Sequence, residues 1–243
     1  MNGIDFDASL IGKYDVNGPR YTSYPTANEF VNGFSAGHYI DALDQLNGAE
    51  TVSLSMYIHV PFCATICYYC ACNKIVTANR KHAEAYLERL LAEIKLQSAL
   101  LTENHRVDQL HFGGGTPTYF TNEQFSSVFA ALHEHFNLAT DDERDFSIEI
   151  DPRTVDAERV RFLSSLGINR MSLGIQDFDP LVQRAVNRIQ SEDDTAAVIN
   201  AARANGIKSI SVDLIYGLPL QTVPGFEQTL ARVLRLGKVC FSR

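Results

Sequence analysis

Residues 57–72 read YIHVPFCATICYYCAC. A run rich in β-branched and aromatic residues, 53–60, ends at Pro61, and four of the chain's five cysteines follow within ten residues. A disulfide framework spreads its cysteines along a chain, so in a reducing compartment this cluster reads as metal or redox chemistry. Cys63, Cys67 and Cys70 form C-x3-C-x2-C. Three closely spaced thiolates can hold three corners of a four-iron cube and leave one iron open to a small molecule. An open coordination position is what separates a reactive metal centre from a structural one. Cys72, two residues further on, reads as a fourth ligand, a structural thiol or a reactive one. Zinc is the alternative, although zinc sites pair two short knuckles at a distance and here only Cys240 stands elsewhere.

Outward from this segment the chain alternates. Runs at 53–60, 107–112, 146–150, 170–175 and 209–216 are predicted as strands. Between the first two, Ala83, Tyr86, Leu87, Leu90, Leu91 and Ile94 recur at helical spacing. Thr121 and Gln124 form a capping box ahead of a helix carrying Phe125, Val128, Phe129 and Leu132. Val160, Leu163 and Leu166 line a helix that stops at Gly167, and Asp179-Pro180 opens a short one. Ser191 opens another, ended by Asn205-Gly206, and a last helix runs from about Gly225 to Leu236. Upstream, residues 17–30 read as an extended arm, and Ser35 caps a helix with Tyr39, Ile40, Leu43 and Leu46 on one face. Five β-α units imply a parallel sheet with helices outside, as an open sheet or a barrel.

In both forms a ligand binds at the carboxyl ends of the strands. Those ends are polar here. They carry Tyr57 and His59, Gly113-Gly114-Gly115-Thr116, Glu149 and Asp151, Gln176 and Asp177, and Asp213. Alternation puts Tyr57 with His59 on one face, as it does Glu149 with Asp151 and Asp213 with Ile215. Buried carboxylates are costly without partners, so a polar ring at one end of a sheet points to function. The glycine run offers a ligand bare backbone. Its spacing is neither the dinucleotide fingerprint nor a P-loop.

Composition sets the outer bounds. The chain has 243 residues, 45% hydrophobic and 21% charged, which suits one barrel or doubly wound domain. A net charge of −8 argues against a nucleic-acid face but allows a local basic pocket. No apolar run approaches the ~18 residues of a membrane span, and the start MNGIDFDASLIGKYD is not a signal peptide. The expectation is a soluble cytoplasmic protein with no membrane partner.

The cysteine spacing after a first strand resembles the radical S-adenosylmethionine (SAM) superfamily. YIHVPFCATICYYCAC, HFGGGTPTYF, EIDPRT, GIQDF, VNRIQ and DLIYGLPLQT, with the arm GPRYTSYPTA, resemble in order the oxygen-independent coproporphyrinogen III oxidase family. The resemblance implies a partial TIM-like βα barrel of about five parallel strands over 51–236, preceded by an N-terminal arm and helix over 1–50. It implies a [4Fe–4S] cluster on Cys63, Cys67 and Cys70, with SAM on the open iron and a second SAM molecule nearby. Tyr57, Tyr69, Gly114, Gly115, Thr116, Glu149, Gln176, Arg188, Asp213 and Ile215 fall on the family's SAM-contacting positions. His59 falls on a histidine near the cluster, a candidate proton donor or orienter. Cys72 falls on an extra cysteine that is not a cluster ligand, and with His59 it completes the candidate catalytic residues. The implied reaction uses a 5′-deoxyadenosyl radical to convert two propionates of coproporphyrinogen III into vinyl groups, with loss of CO2. An unidentified electron donor is needed, and family members are expected to be monomers. Arg20 is a candidate for meeting a substrate carboxylate. Residues 237–243, LGKVCFSR with Leu236, do not resemble the family's continuation, so the expected C-terminal domain is absent and impaired activity is expected. A haem-binding chaperone-type relative and a zinc-stabilised structural protein are the alternatives.

Overall fold

Alternation along the run before Pro61 sends Leu54, Met56, Ile58 and Val60 to one side and Ser53, Ser55, Tyr57 and His59 to the other. The computed structural model describes residues 7–16, 26–49, 52–102, 105–237 and 239–242, and there this run is strand β1 (Val52–Val60). Two short strands, β2 (Phe62–Cys63) and β3 (Ile75–Val76), pair in parallel at either end of the cysteine loop. The main strands that follow are β4 (His105–Gly114), β5 (Asp145–Ile150), β6 (Arg170–Gln176) and β7 (Ser209–Leu214). A further strand, β8 (Cys240–Ser242), pairs in parallel with β7.

The sheet order is β1-β4-β5-β6-β7-β8, parallel throughout. Each strand pairs with the next main strand along the chain, so the order never reverses. A doubly wound sheet requires a reversal, whereas a barrel winds in one direction. The fold is a partial βα barrel, as expected. The difference is β8: the sheet reading stopped at five strands, and the tail adds a three-residue sixth. So short a run carries no alternation from which to read it.

Helices follow the strands: α3 (Lys81–Ser98), α4 (Asn122–His135), α5 (Ala157–Ser165), α6 (Pro180–Ala185), α7 (Glu192–Ala204) and α8 (Val223–Arg235), after α1 (Ala8–Tyr14) and α2 (Ala36–Asn47). Thr121 and Gln124 make both halves of the expected capping box on α4. Ser191 caps α7, and Gly167 and Gly206 follow α5 and α7 at φ +100° and +77°. The last helix begins two residues earlier than expected. Thr222 accepts from the Gly225 N–H, which admits Pro224 into the first turn.

One core lies between the sheet and α3, α4, α5, α7 and α8. It buries Leu110 and Phe112 of β4, Phe146, Ile148 and Ile150 of β5, Met171, Leu173 and Ile175 of β6, and Ile210 and Val212 of β7. The chain divides into two compact units, Met1–Gln45 and Leu46–Arg243, where the sequence reading drew the line at 50/51. Within the first unit the described part of the arm includes a 3-10 turn, Ala27–Glu29. Arg20 and residues 17–25 of the arm lie outside the described residues. Among the described residues no helix is long and apolar enough to cross a membrane.

Phe112 is fully buried, with its ring 5.4 Å from that of Phe125 and 5.6 Å from that of Phe129. Phe112→Ala is expected to cost ~3–5 kcal/mol. It should be read in urea as a lower unfolding midpoint at unchanged slope.

Candidate functional site

The carboxyl ends of β4, β5, β6 and β7 and the cysteine loop enclose a cavity of about 460 Å³. Cys63, Cys67, Cys70, Cys72, Tyr69, Gly114, Gly115, Thr116, Glu149, Gln176, Arg188 and Asp213 all line it. Tyr57, His59 and Ile215 are not among its lining residues. Ile215 packs with Tyr69 against a small apolar cluster of Val182, Val186 and Leu218, so it supports the wall.

The cysteine loop is tied at several points. At its base Ile75 N–H donates to Pro61 O (2.7 Å) and Thr77 N–H to Cys63 O (2.9 Å). At its tip Tyr68 N–H donates to Val186 O (3.0 Å) and the Asn187 amide to Ile66 O (2.7 Å). Lys74 Nζ donates to Cys70 O (2.8 Å). The Nε2 of His59 lies 2.9 Å from Asn73 O, and its Nδ1 lies 3.0 Å from the Tyr57 hydroxyl. A carbonyl only accepts, so Nε2 carries the hydrogen and Nδ1 accepts from Tyr57. Both ring nitrogens of His59 are engaged, one of them on the loop.

The glycine run serves the protein's own packing. A Cβ on Gly113 would come 2.9 Å from the Tyr57 ring, one on Gly114 2.7 Å from the His59 ring, and one on Gly115 2.8 Å from the carbonyls of Pro61 and Phe62. Gly114 also sits at φ +115°. The N–H groups of Gly115 and Thr116 donate to Val60 O and Phe62 O at 2.9 and 2.8 Å. Bare backbone here lets the first turn of the cysteine loop lie directly on β4.

Cys67 meets side chains from outside its loop. Arg153 Nη2 stands 3.8 Å and Arg188 Nη1 3.6 Å from its sulfur. Both guanidiniums also bind Asp151, Arg153 through a fork at 2.7–3.2 Å and Arg188 at 3.3 Å. Burial pushes the Asp151 carboxyl up, but hydrogen bonds from Arg153 and the Arg188 charge outweigh it and hold the group below the usual carboxylate range. Cys63 is buried, which pushes its thiol up, while the Thr116 hydroxyl, donating at 3.4 Å, offsets part of that.

The far wall is rich in acceptors. Glu149 accepts from the Gly114 N–H at 3.2 Å. Asp213 accepts from the Ser172 hydroxyl at 3.1 Å, and burial, with Glu149 nearby, raises its carboxyl above the ordinary value. Gln176 sits at φ +66°, and its side-chain oxygen is buried without a partner. Arg188, 8% exposed, leaves its Nε–H unpaired in the same way. Buried groups left unpaired are costly unless something completes them.

These features fit an iron–sulfur cube with an amino-acid nucleoside beside it. Three thiols share one cavity wall. Arg188 retains a donor for a carboxylate, while Glu149, Asp213 and Gln176 offer acceptors for hydroxyl and amine protons. Among the described residues no three Cys, His, Asp or Glu side chains are placed to hold one common metal ion.

Sequence reading missed Arg153, gave Asp151 no role and passed over His111. His111 stacks on Tyr57 at 5.7 Å and bonds to Ser147 Oγ at 2.7 Å. The available signal for Arg153 was its place in EIDPRT, one turn past a strand end. For His111 it was parity with the polar face of its strand.

The description of the Radical SAM superfamily matches residues 57–233. The chain is 48% identical over 236 residues to the oxygen-independent coproporphyrinogen III oxidase of Pseudomonas aeruginosa, covering 97% of this chain and 51% of that protein. It is 46% identical over 233 residues to the enzyme of the same name from Salmonella typhimurium, covering 96% and 50%. Its structure is similar to that of coproporphyrinogen III oxidase (HemN) from Escherichia coli, described as a radical SAM enzyme, with a TM-score of 0.86 and 42% identity over 99% of this chain and 53% of that one. The chain spans about half the length of the curated relatives it matches. It belongs to the radical SAM superfamily, and with that membership come its cofactors, a [4Fe–4S] cluster and S-adenosylmethionine.

A carboxylate whose pKa is raised in the fold destabilises it above the folded value and leaves it unaffected below the unfolded value, ~3.9. Asp213→Asn is therefore expected to raise the melting temperature of the iron-free protein at pH 7, and the gain should vanish by about pH 3.5. A pH-independent change in melting temperature would contradict this account of Asp213.

Proposed function

We propose that this radical SAM chain carries the catalytic core of an oxygen-independent coproporphyrinogen III oxidase, converting two propionates of coproporphyrinogen III into vinyl groups. The observation that carries the reading is the shared cavity. The C-x3-C-x2-C cysteines line it together with Arg188, Glu149, Gln176 and Asp213. The names of its 46–48% identical relatives supply the substrate.

In this reading Cys63, Cys67 and Cys70 hold the cluster, and Cys72, exposed at the cavity edge, is not a ligand. When bound, the cluster and SAM supply one-electron hydrogen abstraction from the propionate. The chain's residues bind and orient. Arg188 would meet the SAM carboxylate, and Glu149, Asp213 and Gln176 would accept from its amine and hydroxyl groups, all four lining the cavity. Tyr69, backed by Ile215, forms an apolar wall for the adenine. Gly114, Gly115 and Thr116 set the distance between β4 and the loop. Tyr57 orients His59, and His59, through Asn73, orients the end of the cysteine loop. Its Nε2–H is already given to a carbonyl, which favours the orienting role over proton donation. Lys74, Arg153 and Arg188 are the cations of the cavity, balanced there by Glu149, Asp151 and Asp213. The setting is cytoplasmic, an external one-electron donor is required, and the working form is a monomer with no nucleic-acid or membrane partner.

Anaerobic reconstitution with iron and sulfide tests the assignment. The wild type and Cys72→Ser should turn brown with about four irons per chain. Serine at 63, 67 or 70 should abolish the charge-transfer absorption. With SAM, reductant and coproporphyrinogen III, the loaded chain should release 5′-deoxyadenosine and form vinyl product, at a lower rate than a full-length relative. Stoichiometric zinc without iron absorption, or loss of the cluster in Cys72→Ser, would defeat the reading.

A further inference from the structure

Arg153 has a position that the SAM site does not require. It leaves the end of β5 two residues after Asp151 and forks onto that carboxylate, Nε at 2.9 Å from one oxygen and Nη2 at 2.7 Å from the other. The same Nη2 lies 3.8 Å from the Cys67 sulfur. Arg188 already neutralises Asp151 and already touches that sulfur at 3.6 Å. A second guanidinium is therefore surplus to the ion pair. Arg188 also feels the charge of Asp213, whereas the side-chain bonds of Arg153 go to Asp151 and to the Cys67 sulfur. A metal-bound thiolate there is a stronger acceptor for its N–H than a neutral thiol.

The geometry points to Arg153 as a positioning residue for the iron–sulfur centre, holding an N–H against the sulfur of Cys67 with Asp151 as its anchor. The inference rests on the reading of Cys67 as a cluster ligand. Hydrogen bonds and positive charge at a ligating sulfur favour the more negative, reduced cluster and so raise its reduction potential. Arg153 acts through Cys67 and touches neither substrate nor SAM in this role. Its Asp151 fork matters because a guanidinium bound at both oxygens cannot swing away from the sulfur, whereas a lysine at the same place holds charge without direction.

The test compares wild type, Arg153→Met and Arg153→Lys, each reconstituted anaerobically and titrated against redox mediators with the reduced cluster followed by electron paramagnetic resonance. Iron and sulfide contents are measured alongside, as is the melting of the iron-free proteins. Arg153→Met is expected to lower the reduced-to-oxidised ratio at fixed potential about tenfold, which is ~59 mV to the negative for a one-electron couple. Arg153→Lys should shift in the same direction by less. If Arg153→Met fails to fold or load, the lysine variant decides by the same measurement. A loaded variant whose midpoint equals that of wild type, while its iron-free form melts lower, makes Arg153 a structural tie only and overturns the inference. A wild-type chain that takes up no iron ends this inference and the proposed function together. A loaded wild type with unmoved variants ends this one alone.

Discussion

The site turns on a buried carboxylate. Asp151 is 9% exposed and would be a liability at the end of β5 without cations. Arg153, from its own turn, and Arg188, from the segment after α6, supply them. The dependence is mutual. Arg188 is itself 8% exposed, and its remaining bond goes to Gly174 O at 2.7 Å. Removing one partner of such a group strands the others, at a cost of ~3–5 kcal/mol, which is how a buried ionic cluster fixes geometry more than it adds stability. What it fixes is the relation between two strand ends, the turn after α6 and the tip of the cysteine loop. β5 brings Asp151, β6 brings Gly174, and the turn after α6 brings both Arg188 and the Asn187 amide that holds Ile66 O.

The same region stores backbone strain. Gln176 and Asn187 have φ of +66° and +55°, unusual for residues with side chains. Each is held from beside it. Asp177, 1% exposed, accepts from the Thr229 hydroxyl at 2.6 Å and from the Asp179 N–H at 2.8 Å, locking the chain just past Gln176 to α8. Asn187 is fixed by its reach to the cysteine loop. At Gln176, a residue of the cavity lining, the strain goes with a side-chain oxygen that is buried without a partner. A relaxed strand end would have kept that amide in the β-sheet alternation, so the bend and the free acceptor have one cause.

Much of this was legible in the sequence because strand periodicity is simple. A period of two placed Tyr57 with His59, and it found Glu149, Gln176 and Asp213 at equivalent ends of successive strands. Caps were equally plain, since a Thr and a Gln three residues apart leave little else to do before an apolar helix. The glycines were read for close approach by a ligand, and the structure shows that the protein's own groups approach them too. Absence of Cβ does announce a close approach, but nothing local tells whether the approaching group is a ligand or the side chains of Tyr57 and His59. Arg153 was missed because its role is set by Cys67, 86 residues away. β8 was missed because a three-residue strand is specified by the edge of β7 and not by its own composition.

The barrel's two faces divide the work. Outward, β4, β5, β6 and β7 present residues such as Phe112, Ile148, Leu173 and Val212 to the helices, and the folding core lies there. Inward, the paired register runs Tyr57 to His111, His111 to Ser147, Ser147 to Arg170 and Arg170 to Ser209. A closed TIM barrel fills that inner space with branched aliphatic side chains, whereas this row is polar and packs little. Stability must therefore come from the outer face, which leaves the inner one open to chemistry. The arrangement has a sharp constraint. A one-residue slip in any strand would carry its core residues inward and its polar ones into the helices. The polar ring and the hydrophobic core are thus specified by the same register, and the site cannot drift without the fold failing first.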